Sequence, residues 1–141
     1  MLELKDFEEA KKRVDEVIIP TPLIYSPAFS KECRNMVYIK PENLQRTGAF
    51  KIRGAYNKIM KMDDESKSRG LIASSAGNHA QGVAYAAQQL GVKATIVMPA
   101  HTPLIKVDAT KALGAEVVLH GEVYDDAYNK AVELQKEHGY T

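Results

Sequence analysis

The spacing of apolar positions changes along the chain and marks out its elements. Phe7, Ala10, Val14 and Val17 recur at helical intervals, and Asp6 with Glu9 has capping-box spacing. A first helix is therefore predicted to run to about Val17. Pro20 and Pro22 stop it and force an extended segment. Residues 36–39 form a short apolar run of strand character, ended by Pro41. Ile52, Ala55, Tyr56 and Ile59 repeat at i, i+3, i+4 and i+7, which predicts a helix beginning at Phe50 or Lys51. The polar stretch 63–69 reads as a loop.

A regular alternation follows. Residues 71–74 predict a buried strand. Val83, Ala86, Ala87 and Leu90 form a helical stripe closed by Gly91. Residues 94–98 are a β-branched apolar strand stopped by Pro99. Pro103 suits the first turn of another helix, which ends at Gly114. Residues 116–119 predict a third strand, and Tyr124, Ala127, Tyr128, Ala131 and Gln135 share one face of a last helix closed by Gly139. Strands alternating with helices predict an α/β fold: an open parallel sheet with helices on both faces and right-handed crossovers. Residues 1–50 lack this rhythm and are assigned to a separate unit; residues 51–141 form the α/β unit. A doubly wound unit usually returns a strand after such a helix, so the end at Thr141 reads as a cut.

Composition narrows the picture. The 141 residues suffice for one domain with a real core, and 45% apolar with 26% charged content is ordinary for a globular chain. The net charge is +1, from 19 basic and 18 acidic residues, so nothing steers the chain to nucleic acid or an anionic membrane. No apolar run is long enough to span a bilayer, and the charged N-terminus has no signal-peptide core. A cytoplasmic protein is the expectation. Cys33 stands alone, which excludes an intrachain disulfide and a cysteine-rich metal site. His101, His120 and His138 are scattered without ligand spacing, so no metal is expected. Asp125 and Asp126 open the last helix and suit its dipole. Neither GxGxxG nor GxxxxGK[ST] occurs.

Two segments carry chemistry. Residues 74–82 read SSAGNHAQG where a strand gives way to a helix. Ligands of open α/β sheets bind at the carboxyl ends of strands, and the free N–H groups of a helix start attract an anion. Ser75 adds a hydroxyl, Gly77 lets backbone approach closely, and Asn78 brings an amide. The same residues also fit a simple helix cap, with His79 as a packing residue of the first turn. Residues 40–55 read KPENLQRTGAFKIRGA and set Lys51 after a Thr47-Gly48 turn at a helix start. By position alone such a lysine is a solvated surface residue. A cation sits poorly at the positive end of a helix dipole, however, and a neutral amine is what imine chemistry requires.

Together the segments ENLQRTGAFKIRGA and SSAGNHAQGVAYAA resemble the cofactor-lysine and substrate-loop motifs of fold-type II pyridoxal-phosphate enzymes. Within that class the chain is similar to the serine/threonine dehydratases, or threonine ammonia-lyases. TPLIYS at 21–26 and GAEVVLHGEVYDDA at 114–127 also fit, so the resemblance covers the whole chain. It implies pyridoxal 5'-phosphate as cofactor, bound covalently by Lys51, which also moves protons at the substrate α-carbon. It implies that Phe50 packs near the cofactor and that Asn78 hydrogen-bonds its phenolic oxygen. Ser75, Ala76, Gly77 and His79 would frame the substrate carboxylate. The implied reaction is α,β-elimination of L-threonine to 2-oxobutanoate and ammonia, or of L-serine to pyruvate, in amino-acid metabolism. Serine racemases of this class carry a proton-transferring serine where this chain has Ala76, which favours a dehydratase. Ala49, where many relatives have serine, departs slightly.

Members of that class are more than twice as long, and their glycine-rich phosphate loop has no counterpart here. The chain is therefore expected to be an N-terminal fragment: part of the large domain followed by most of the small one, inactive by itself, in a parent that forms homo-oligomers. A self-associating α/β binding module and a natural short paralogue are the alternatives.

Overall fold

The computed structural model describes residues 1–141. Helix α1 (Leu4–Val14) is followed by strand β1 (Ile24–Tyr25), helix α2 (Pro27–Cys33) and strand β2 (Tyr38–Ile39). A 3-10 turn (Glu42–Leu44) leads to α3 (Lys51–Met60) and α4 (Asp64–Arg69). The remainder alternates: β3 (Leu71–Ser74), α5 (Asn78–Gln89), β4 (Ala94–Met98), α6 (Leu104–Ala112), β5 (Glu116–Leu119) and α7 (Tyr124–His138).

Strands β3, β4 and β5 form a parallel sheet in sequence order, with Leu71 opposite Ala94 and Thr95 opposite Glu116. β4 is central and buried along its whole length, as its unbroken Ala-Thr-Ile-Val-Met run requires. Ile96 and Met98 face the main core with Ile52, Ala80, Ala84 and Val107, whereas Val97 meets Ala127 and Ala131 of α7 on the other side. Helices therefore cover both faces, as the periodicity predicts. Val14 and Val17 join the main core, so α1 packs on α3. The backbone of Thr141 returns to the open edge of β3: its N–H donates to Gly70 O and its carbonyl accepts from Ile72 N–H, each at 3.0 Å.

Several expectations need correction. Helix α1 ends at Val14, not Val17, and its cap lies earlier: Asp6 is the third helical residue, and its carboxylate accepts from the Glu3 N–H at 2.8 Å. The stretch 63–69 is a short helix, because the Asp63 carboxylate accepts from the Ser66 N–H at 2.6 Å and caps it. Pro103 stands one position outside α6, as its N-cap. The run at 36–39 yields only Tyr38–Ile39, paired antiparallel with a partner strand that the pattern does not reveal.

Polar side chains brace the first fifty residues internally and tie them to α3. The buried Gln45 amide donates to Ile19 O at 2.9 Å and accepts from Ile19 N–H at 2.7 Å. Arg53 of α3 grips Glu42 in a fork, Nε to Oε2 at 2.9 Å and Nη2 to Oε1 at 2.7 Å, and Thr21 Oγ1 donates to the same carboxylate. The guanidinium above all lowers the Glu42 pKa to about 2.

Candidate active site

Lys51 is the first residue of α3, as the spacing predicts, with Phe50 at the N-cap. The approach turns at Gly48, whose φ of +67° suits glycine and whose N–H donates to Gln45 O at 2.8 Å. The helix is anchored by Ile52, Ala55, Tyr56 and Ile59, all buried. That leaves Lys51 exposed, its Nζ 5.0 Å from the centroid of the Phe50 ring. Its amine takes part in no hydrogen bond or ion pair. Phe50 is itself exposed, so one ring face is open beside the amine.

The second element is the turn from β3 into α5. Ser75 N–H holds Val97 O at 3.1 Å, which continues the sheet to the turn. The Ser75 hydroxyl oxygen accepts from Gly77 N–H at 3.3 Å and keeps its own proton to donate. Gly77 is the N-cap of α5, and no side chain caps the helix. A Cβ at Gly77 would find nothing within 4 Å, so the space in front of the helix start is open. Ser75, Ala76 and Gly77 are half-buried, whereas Asn78 and His79 are exposed at the first turn. The unpaired N–H groups of that turn and the helix dipole make the opening a place for an anion.

The two elements touch. α3 and α5 pack against each other, and Gly82 lies directly on the backbone of Lys51. His79, three residues before Gly82, shares that face of α5. Its pKa is held below the usual histidine value, first by desolvation and then by the positive charge of Lys51. The structure thus brings Lys51, Phe50, Ser75, Ala76, Gly77, Asn78 and His79 to one neighbourhood. Gly82 is the member that sequence reasoning misses as a site residue. A small residue within a helical stripe was the available signal. An apolar hollow of about 160 Å³ between α3 and β3 is lined by Ile59, Met62, Leu71, Ile72, Thr141 and, of the candidate site residues, His79, but by neither Lys51 nor Asn78.

The donor set suits an aldehyde cofactor and a carboxylate. It offers a free amine, an aromatic face, an amide, a hydroxyl and an uncapped helix start. Two buried hydroxyls with no hydrogen-bond partner, Thr47 Oγ1 and Ser74 Oγ, adjoin the two elements in sequence and leave capacity unmet. No group of three or more potential metal-ligating side chains comes together. No helix is long and apolar enough to cross a membrane.

Comparison with known proteins extends this geometry. A family model described as pyridoxal-phosphate dependent enzyme matches residues 14–141. The chain is 50% identical to an L-threonine ammonia-lyase of Thermotoga maritima, covering 99% of this chain and 35% of that protein. The structure of threonine deaminase isoform 2 from Solanum lycopersicum superposes with a TM-score of 0.88 at 41% identity, over 99% of this chain and 40% of that one. Maize serine racemase gives a TM-score of 0.91 at 33% identity, over 99% and 42%. The chain thus spans less than half of the length of the relatives it matches, 35% to 42% for these three.

Proposed function

Because the chain belongs to the family of pyridoxal-phosphate dependent enzymes, we propose that it contributes the lysine and the carboxylate loop of a threonine ammonia-lyase. The reaction is deamination of L-threonine to 2-oxobutanoate and ammonia, with L-serine to pyruvate as a second substrate. The observation that carries this reading is the unpartnered amine of Lys51, whose backbone lies against Gly82 of α5, the helix whose start no side chain caps. The threonine ammonia-lyase and threonine deaminase relatives support it.

Pyridoxal phosphate, when bound, supplies the electron sink for breaking the Cα–H bond. The residues of this chain do the rest. Lys51 would hold the cofactor through its amine and, once the substrate's amine has displaced it there, would be free to take the proton from the substrate α-carbon. Phe50 gives that amine an apolar wall, which limits water beside it. Asn78 donates its amide to an oxygen of the cofactor ring. Ser75 donates its hydroxyl to the substrate carboxylate, and the backbone N–H groups between Ala76 and His79 complete the cradle. The His79 pKa is held below its ordinary value by desolvation and then by the Lys51 charge. Ala76 has no proton to give, which leaves the far face of the α-carbon without an acid and separates this site from a racemase. We assign residues 51–141, with the loop and the sheet, to one unit and residues 1–50, whose Val14 and Val17 pack into its core, to a second. The protein works in the cytoplasm.

Incubation with pyridoxal phosphate, borohydride reduction and peptide mass mapping test the reading: the cofactor mass should sit on Lys51. Labelling spread over the exposed lysines would contradict it. The 141 residues hold no second glycine-rich anion loop to anchor a phosphate, so the isolated polypeptide should not turn over L-threonine. Sustained 2-oxo acid formation would overturn that part. The exposed apolar ribbon of Ile24, Tyr25, Tyr38 and Ile39, with Leu23 and Phe29, favours a homo-oligomer. Light scattering showing a monomer at high concentration would count against it.

A further inference from the structure

The geometry points to Gly82 as a positioning residue that sets the distance between the lysine and the carboxylate loop; this rests on the site proposed above. Gly82 is buried within α5, where any residue except proline would serve helix formation better. Its φ is not positive, so backbone conformation does not demand glycine. Contact does. A Cβ built there would lie 3.1 Å from the Lys51 carbonyl carbon, 3.1 Å from Lys51 Cβ and 3.2 Å from Ile52 N. Two of these three atoms are backbone, which cannot swing aside as the end of a long side chain can. Ile52 is fully buried behind them, so α3 has little room to retreat.

The consequence for the site is direct. Gly82 lies one helical turn beyond the first turn of α5, on the face that carries His79. Any displacement of α3 at Lys51 is therefore a displacement relative to Ser75, Gly77 and Asn78. A methyl group at 82 would separate the two halves by a few tenths of an ångström, enough to disturb a reaction that needs amine and α-carbon in register. Gly54 is the internal comparison. It also lies in a helix, but a Cβ there meets nothing within 4 Å.

The test compares wild type, Gly82→Ala and Gly54→Ala. Lysines are reductively methylated with 13C-formaldehyde, and the Lys51 methyl resonance is followed with pH. Its position near the Phe50 ring makes the shift a reporter of local geometry that needs no cofactor. In parallel, the rate of borohydride-trapped pyridoxal phosphate capture at Lys51 is measured. Gly82→Ala should keep a cooperative melt, move the Lys51 resonance and slow capture about tenfold, a size typical of small misplacement. Gly54→Ala should match wild type in both. An unmoved resonance with wild-type capture in Gly82→Ala overturns the proposal. If wild type itself captures no cofactor, the cofactor reading fails while the resonance still decides the positioning role. Should Gly82→Ala melt too low to study, the Gly54→Ala/Gly82→Ala chain, stabilised by the second alanine, is read in its place against Gly54→Ala.

Discussion

Helices α4 and α5 begin close together in the chain and in opposite ways. α4 is short and polar, and its first turn is satisfied by its own Asp63 carboxylate at 2.6 Å. α5 is longer and apolar, packs Ala80, Val83, Ala84 and Ala86 into the core, and leaves its first turn without a side-chain cap. The short helix needs its cap because little else holds it. The long one is held by packing and can leave its N–H groups free for something else. Stability resides behind the site, in α3 and α5, while binding capacity resides at their exposed starts.

The largest expected effect falls on that buried support. Ile52→Ala should cost about 3 kcal/mol in urea denaturation, because a fully buried side chain leaves a cavity. A loss below about 1 kcal/mol would mean that α3 is not held by the core as described.

Next comes the brace on the other side of α3. Glu42 has a folded pKa of about 2 against an ordinary 4.5. A depressed carboxylate stabilises the fold fully above 4.5 and loses that contribution as pH falls towards 2. Wild type should therefore lose stability across this window more steeply than Glu42→Gln. Parallel acid profiles for the two chains would remove the brace from the account.

The comparison of helix starts is sharpened by a pair of smaller changes. Asp63→Ala should cost about 1 kcal/mol, the usual worth of a side-chain cap. Asn78→Ala should change stability by less than about 0.5 kcal/mol, because Asn78 caps nothing. Equal losses at the two positions would erase the distinction.

The smallest effect is a titration. In Lys51→Gln the His79 pKa should rise part of the way towards its ordinary 6.5, since the lysine charge is the lesser of the two causes that depress it. Desolvation keeps the remainder. An unchanged midpoint by proton NMR would place the Lys51 charge farther from α5 than described.

The sheet was legible because its central strand is an apolar run buried along its whole length, and its runs are bounded by Pro99, Gly91 and Gly114. The start of α3 at Lys51 was legible for the same reason: four buried residues at helical spacing outweigh an unfavourable charge at the first position. The polar helix α4 was not, since its evidence is one capping carboxylate and no apolar stripe. Nor was β1, a two-residue exposed strand, or its pairing with the Tyr38–Ile39 part of the anticipated 36–39 run. The expectation that Lys51 and residues 75–79 share one site comes only from the paired motifs. Their physical link at Gly82 is a tertiary contact, and periodicity along one helix carries no information about what another helix brings against it.

The central claim is that the uncapped start of α5 receives a carboxylate beside Lys51. It is tested most directly by titrating L-threonine into the 15N-labelled chain and following backbone amides. The account predicts saturable shifts at residues 75–79 and none at residues 63–66, where the capping carboxylate already fills the helix start. Shifts of equal size at both helix starts, or none at residues 75–79, would contradict it.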